Sequence, residues 1–434
     1  MADLSGTDRE VAAAVERLLP FAERFFSELA RRTRDGEGVT RAAWSPEDQA
    51  GLDMLAKAGR DLGLEVERDP AGNVYLTLPG RNRNLPGVLM GSHFDSVPTG
   101  GNYDGAAGAV AGLVVLAALK EQGVTPGCDM RCVGLRGEES VWYGIAYIGS
   151  RLAVGSLDPA EAGRLVRGDT GRTLADHMRD LGIDPAALRS VRPFVSPANT
   201  RAFLELHIEQ GPVLVARDIP AAVPTVIRGN IRFPYARCLG AYAHSAAVPR
   251  TERRDALLAT VELVARLDAL WQEIEAEGHP DTVFTVGKLY TDAAEHAMTK
   301  VPGECRFTLN FGGTSKDVLD RLRDRTRALA AEIAVRRNVA FELGDCVGSD
   351  PTPLDPALRA RLSAASATLG IPAIEMPTVG HDASIFARAG IPAAMVLVRN
   401  QHGSHNAAEA MEIADFGAGV KLLAAAALGV AEER

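Results

Sequence analysis

The sequence predicts an α/β fold: a mixed sheet flanked by helices, interrupted by a smaller α+β unit. Three observations carry this. Short apolar runs alternate with helical periodicity from residue 9 to about residue 210, the pattern of a sheet covered by helices on both faces. After Pro212 the texture changes to strand, helix, two strands, helix, strand, a self-contained set the size of a small domain. "GSDPTPLDP" then breaks the pattern with Pro, Gly and Asp, and a helix, a strand and a final helix resemble the first segment again. The larger domain is therefore read as 1–215 plus 348–434, with 216–347 inserted into it.

The elements follow in order. Apolar positions at helical spacing predict helices over 9–33 and 46–63. "VYLTL" and "GVLMGS" read as strands, and a helix runs through "AGAVAGLVVLAALKEQG" to a C-cap at Gly123. "DMRCVGL" leads into Arg136-Gly-Glu-Glu-Ser140, and "RAFLELHIE" leads into Gln210-Gly-Pro212. In the insertion, from about Val226, a strand precedes a helix over 255–277; "TVFTVGKLY" and "ECRFTLNFG" are strands, 316–336 is a helix and "VAFELGD" a strand. "AAMVLV" is the strand of the closing segment.

Composition narrows the function. Lys plus Arg number 47 and Asp plus Glu 56, a net charge of −9, which argues against nucleic acid or an anionic membrane as partner. No apolar run reads as long enough to span a bilayer, and the opening MADLSGTDREV lacks the basic and apolar regions of a signal peptide. The expectation is a cytoplasmic protein acting on a small molecule. The five cysteines are odd in number and scattered, so no disulfide framework is implied. Cys128 and Cys132 in "CDMRCVGL" read as a buried thiol pair rather than a zinc site.

The chemistry concentrates at predicted strand ends, where ligands collect in α/β sheets. "GSHFDSVPTGGNYDGAAG" places His93, Asp95 and Asp104 in a run poor in apolar bulk, with glycines that let the backbone approach a ligand. Glu138, Glu139 and His207 fall at or just past other strand ends, and His381, Asp382 and His405 come from the last segment. Buried charge needs a partner, and imidazole with carboxylate suits zinc, manganese or cobalt. Three His, one Glu and one bridging Asp would furnish two metals, which can hold a hydroxide between them and polarise a carbonyl while the second Glu acts as base. Singly, each residue has a structural reading; Asp104, for one, could cap the helix that follows it. His177, His279 and His296 lie in polar, helical or turn contexts and are read as structural.

The order H-x-D, D-G, E-E, H-I-E-Q-G-P, G-H-D and S-H-N-x-x-E resembles the M20 metallopeptidase-like amidohydrolases from about residue 40 to the end. "HIEQGPVL" points to the hydantoinase/carbamoylase branch, with its N-carbamoyl-L-amino acid hydrolases, β-ureidopropionase and allantoate amidohydrolase. The resemblance implies that His93 and His207 bind one metal, Glu139 and His405 the other, and that Asp104 bridges. Asp95 would orient His93, Glu138 would be the general base, and Gln210 and His381 would contact substrate. In "GAYAHSAAVPRTERRDAL", His244 would reach an active site across a homodimer and stabilise the oxyanion, and Asp255 would cap the following helix. The architecture implied is a catalytic domain holding two divalent ions, zinc first, with manganese, cobalt or nickel as alternatives. The inserted domain would dimerise and close as a lid.

The departures from the family bear on substrate. Its carbamoylases carry an Asn and an Arg that hold the substrate carboxylate, where this chain has Thr299 in "AMTKVPGE" and Gly312 in "FTLNFGG". Arg399 in "VRNQHGSH", or Arg228 or Arg232 in "IRGNIRF", is the candidate replacement cation. The expected activity is hydrolysis of a linear C–N amide or ureido bond in an N-carbamoyl or N-acyl amino-acid-like compound. An M20-type dipeptidase or N-acyl amino acid deacylase, and a metal-containing binding protein without catalysis, are the alternatives.

Overall fold

The computed structural model describes residues 6–190 and 192–433. Residues 1–5, part of the opening stretch weighed above, lie outside them. The described chain divides into two compact units, 6–225 with 354–433 and 226–353. The division falls later than the 215/216 and 347/348 boundaries expected, because the strand Ala221–Ile227 starts in the first sheet. Its Ala221 and Ala222 pair with Val398 and Leu397, and Leu354 N–H closes on Thr225 O at 3.1 Å.

The first unit is built on a nine-stranded mixed sheet. Its main run passes from Ala221–Ile227 through Ala393–Val398, Thr200–Ile208, Gly87–His93, Met130–Leu135 and Val74–Leu78 to Glu65–Arg68. The four central strands, Ala393–Val398 to Met130–Leu135, are parallel. Their residues are almost continuously buried, as strands covered on both faces must be. The helices Ala106–Glu121 and Ile413–Ala431 pack against this sheet, and Gly6–Arg32 packs on both of them. The last of these is long and apolar enough to cross a membrane, contrary to the expectation that no run would be. It is, however, a core helix, two-thirds buried among the aliphatic side chains of the first unit. Ser45 starts the helix Pro46–Asp61 by accepting the N–H groups of Glu47 and Asp48.

The second unit has its own core and an antiparallel six-stranded sheet, with the helices Ala256–Ala276 and Lys316–Arg337 packed on it. Asp255 caps the first of these through Leu258 N–H. "TVFTVGKLY" is two strands, not one: Val283–Thr285 and Leu289–Thr291 pair with different parts of Glu304–Gly313. The break is fixed by Lys288 N–H on Thr308 Oγ1 at 3.0 Å and Thr308 N–H on Lys288 O at 2.9 Å.

All five cysteines are free thiols; Cys128 and Cys132 are buried, with Cys128 two residues ahead of its strand. His177 and His296 each hydrogen-bond a threonine hydroxyl.

Candidate metal centre

His93 ends the strand Gly87–His93, and His207 sits one residue from the end of the neighbouring strand Thr200–Ile208. Because these strands are adjacent and parallel, their carboxyl ends bring the two imidazoles side by side, ring centroids 5.7 Å apart. Each ring is fixed from behind. His93 Nδ1 lies 2.9 Å from Asp95 O and His207 Nδ1 lies 3.0 Å from Ile208 O. A carbonyl accepts only from N–H, so both rings carry a proton on Nδ1 and turn Nε2 to the centre.

Those two Nε2 atoms face one oxygen, Asp104 Oδ1, at 3.5 and 3.3 Å. The other oxygen, Oδ2, faces His405 Nε2 at 3.4 Å, and His405 lies 3.2 Å from Glu139 Oε1. Asp104 is thus common to two groups of potential ligands, His93–Asp104–His207 and Asp104–Glu139–His405. It does not cap the following helix: the N-cap is Gly105, with no side-chain cap bond. Gly105 has φ +67°, and a Cβ there would sit 2.4 Å from the His93 ring, so both backbone and space demand glycine. Gly105 N–H also donates to His207 Nε2 at 3.1 Å.

The electrostatics fit cation binding. Burial opposes ionisation of Asp104, yet His207, His405 and His93 hold its carboxyl well below the usual range. Asp104 and Glu139 push His405 up to about 10. A metal-free centre therefore keeps a proton on His405, and a divalent ion would take its place. The three imidazole Nε2 atoms, the shared carboxylate and the absence of thiolate from these two groups match zinc or another borderline to hard divalent metal.

Glu138 and Glu139 follow the strand Met130–Leu135. Asp95 organises them: its two carboxylate oxygens accept Glu138 N–H at 3.1 Å and Glu139 N–H at 3.0 Å. The family resemblance implied that Asp95 orients His93 through its side chain. That carboxylate is 3.6 Å from His93 Nδ1, and the hydrogen bond comes instead from the Asp95 backbone carbonyl. Glu138 is half-buried beside this group. Burial raises its carboxyl well above the normal range, His93 opposes this, and Glu139, Asp382 and Asp95 reinforce it.

Gln210 reaches the same centre, donating Nε2–H to Asp104 Oδ2 at 2.8 Å. Its backbone is left-handed at φ 65°, and its Oε1 is buried without a partner. His381 is buried, its ring centroid 4.3 Å from that of His207 and its Nε2 3.0 Å from Thr378 Oγ1. Burial, with His207 nearby, holds it well below 6.5, so it is neutral.

Arg399 is not available as a cation for substrate. Its Nε and Nη2 grip Asp415 at 2.8 and 3.1 Å, and Nη1 meets Asp218. In the second unit, Arg228 Nε donates to Asp281 O and Arg232 Nε to Asn310 Oδ1, both at 3.1 Å. Thr299 O accepts Ser245 N–H, and a Cβ on Gly312 would meet Val283 Cγ2 at 2.8 Å. His244 is exposed there, its Nδ1 accepting Ala246 N–H.

Several residues of the centre went unassigned in the sequence. Glu409 accepts the N–H groups of Tyr103 and Asp104, and Ser404 Oγ lies between Glu409 and Asp104. Glu205 is buried, held by Ser92 Oγ at 2.6 Å and Ala383 N–H at 2.8 Å. Its position two residues before His207, on the same face of the strand, was the signal that could have found it. Asp382 accepts from Ser150 Oγ, and burial, then Glu205, raises it to about 7.

Known proteins resemble this chain along most of its length. Residues 89–429 match the model of peptidase family M20/M25/M40. The chain is 31% identical over 395 residues to an N-carbamoyl-L-amino-acid amidohydrolase of Paenarthrobacter aurescens, spanning 91% of this chain and 93% of that one. It is 30% identical over 421 residues to the allantoate amidohydrolase of Escherichia coli, covering 95% and 96% of the two. A crystal structure of an amidase of the hydantoinase/carbamoylase family from Burkholderia multivorans superposes with a TM-score of 0.85 at 29% identity, over 95% of this chain and 98% of that one. With a family match across more than three-quarters of its length and relatives aligned nearly end to end, this chain belongs to peptidase family M20/M25/M40.

Proposed function

We propose that the protein is a metal-dependent amidohydrolase that cleaves a linear C–N bond of an amide or ureido compound of the N-carbamoyl or N-acyl amino acid type. The observation that carries the reading is Asp104, with one oxygen toward His93 and His207 and the other toward His405. His93, His207 and Asp104 would hold one divalent ion, and Asp104, Glu139 and His405 the other, with zinc first among the candidates. Bound there, such ions polarise a carbonyl and lower the pKa of water.

The chain's own groups supply the proton chemistry. Glu138, with its raised pKa, takes a proton from the attacking water and returns it to the leaving nitrogen. Asp95 aims Glu138 through its backbone N–H. Gln210 offers an unpartnered carbonyl oxygen, and neutral His381 lies beside His207. The reading extends to a homodimer, with His244 of a second protomer stabilising the oxyanion.

The relatives named above act on N-carbamoyl-L-amino acids and on allantoate, which supports the ureido class. Thr299 and Gly312, in place of the family's Asn and Arg, support a substrate held without the usual carboxylate grip. The test is turnover of matched N-carbamoyl, N-formyl, N-acetyl and dipeptide substrates by the zinc-, manganese- or cobalt-loaded enzyme. Preference for the ureido compounds is expected; exclusive turnover of dipeptides would overturn it.

A further inference from the structure

Arg41 is fully buried, at 0% exposure, yet no carboxylate among the described residues forms an ion pair with its guanidinium. An unpaired buried charge is costly, so its place needs a reason. The guanidinium spends its donors on two loops. Nε donates to Phe94 O at 2.5 Å, between His93 and Asp95. Nη1 and Nη2 donate to Oδ1 and O of Asn102 at 3.3 and 3.4 Å, two residues before Asp104. Its main chain adds a third tie, with Arg41 N–H on Ser96 Oγ and Ser96 N–H on Arg41 O, each at 3.0 Å.

We infer that Arg41 is a positioning residue that sets the separation of the His93 and Asp104 loops and places a buried positive charge behind the metal centre. The inference rests on the two-metal reading above. The planar fork suits the task, since five N–H donors in fixed directions can span two backbones. A lysine carries the charge but reaches only one of them at a time. Burial opposes the charge of Arg41, and the nearby carboxylates of Glu409, Asp104, Asp95 and Asp48 oppose that loss in turn. The residue touches no reacting atom; it acts through His93 and Asp104.

The experiment is titration of chelator-stripped protein with Zn²⁺ and Co²⁺ by calorimetry and by the Co²⁺ visible spectrum, comparing wild type with Arg41→Met, Arg41→Lys and Asn102→Ala. Arg41→Met is expected to lose about a hundredfold in metal affinity and to alter the Co²⁺ bands. Arg41→Lys and Asn102→Ala are each expected to lose about tenfold, the range for groups that orient ligands. The Arg41→Met/Asn102→Ala double variant is expected to be no worse than Arg41→Met, because both act through one fork. Wild-type affinity and spectrum in Arg41→Met would overturn the inference. If Arg41→Met does not fold, undiminished affinity in both Arg41→Lys and Asn102→Ala would overturn it. Failure of wild type to bind either ion would overturn the metal reading itself, a separate result.

Discussion

Glu409 reaches across 305 residues of sequence to accept the backbone N–H of Asp104 at 3.2 Å. The same oxygen accepts Tyr103 N–H at 2.8 Å, and the other oxygen faces Ser404 Oγ at 2.7 Å. Ser404 also lies against Asp104 Oδ2, but its single hydroxyl proton serves only one carboxylate at a time. Glu409 thus fixes the loop that carries the shared ligand and competes for the hydroxyl bonded to that ligand. Glu409→Ala should lower metal affinity about 10–100-fold, as loss of a group orienting a ligand does. Glu409→Gln, which keeps one acceptor oxygen for the two N–H groups, should lose less. Competition against a chelator of known affinity measures both.

Asp95 predicts a separation of metal binding from turnover. Each of its oxygens takes one N–H of the Glu138–Glu139 turn. Asn in its place offers one acceptor and turns an NH₂ group on the other N–H. His93 keeps its anchor, because that anchor is the Asp95 backbone carbonyl. Asp95→Asn should retain metal while kcat falls about a hundredfold from misplacement of Glu138. Metal analysis alongside steady-state kinetics checks both halves.

Glu138→Gln removes the proton carrier and leaves His93, Asp104, Glu139, His207 and His405 in place. Metal content should stay at the wild-type level, and kcat should fall about 10²–10⁴-fold, the usual worth of a general acid–base. Near-normal kcat would reassign the role.

How far the sequence reached is itself physical. His93, Glu139 and His207 were legible because parallel strands deliver their carboxyl-end residues to one place, and strand order and period are written locally. Asp104 could be read as a ligand or as a helix cap, and only the structure, with Gly105 at the N-cap, removes the second reading. Arg41 carried no local signal: its partners Phe94 and Asn102 lie 53 and 61 residues away, and nothing in "VTRAAW" marks a fork joining two loops. Arg399 was misplaced because neither of its partners, Asp415 in the next helix and Asp218 181 residues away, is marked as a partner by local pattern. The strand break at Gly287 was missed because a single β-run looks continuous until its partner strand is known.

Arg399→Ala should leave kcat/KM unchanged within about twofold, because the side chain is held by Asp415 and Asp218, away from any substrate role. Stability should fall, since Asp415 is buried and loses its two-point partner. A buried acceptor left unsatisfied costs about 1–3 kcal/mol, read as a lower denaturant midpoint. A large drop in kcat/KM at wild-type stability would return Arg399 to the substrate site.

His405 gives the pH dependence. In the metal-free protein Asp104 and Glu139 raise its pKa from 6.5 to about 10. A raised pKa means the folded state holds the proton more tightly than the unfolded state does, so this group's stabilisation is fully present below pH 6.5. It is lost as pH rises toward 10. A metal ion needs the same nitrogen unprotonated, so binding at the Asp104–Glu139–His405 group must expel that proton. Metal affinity should therefore rise with pH across 6.5 to 10, by up to tenfold per unit, with one proton released by His405. His405→Gln should remove the proton that His405 contributes, making the slope shallower, while leaving the His93–Asp104–His207 group able to bind one ion. Calorimetry in buffers of different ionisation enthalpy counts the proton directly, and a pH-independent affinity in wild type would show that His405 is not a ligand.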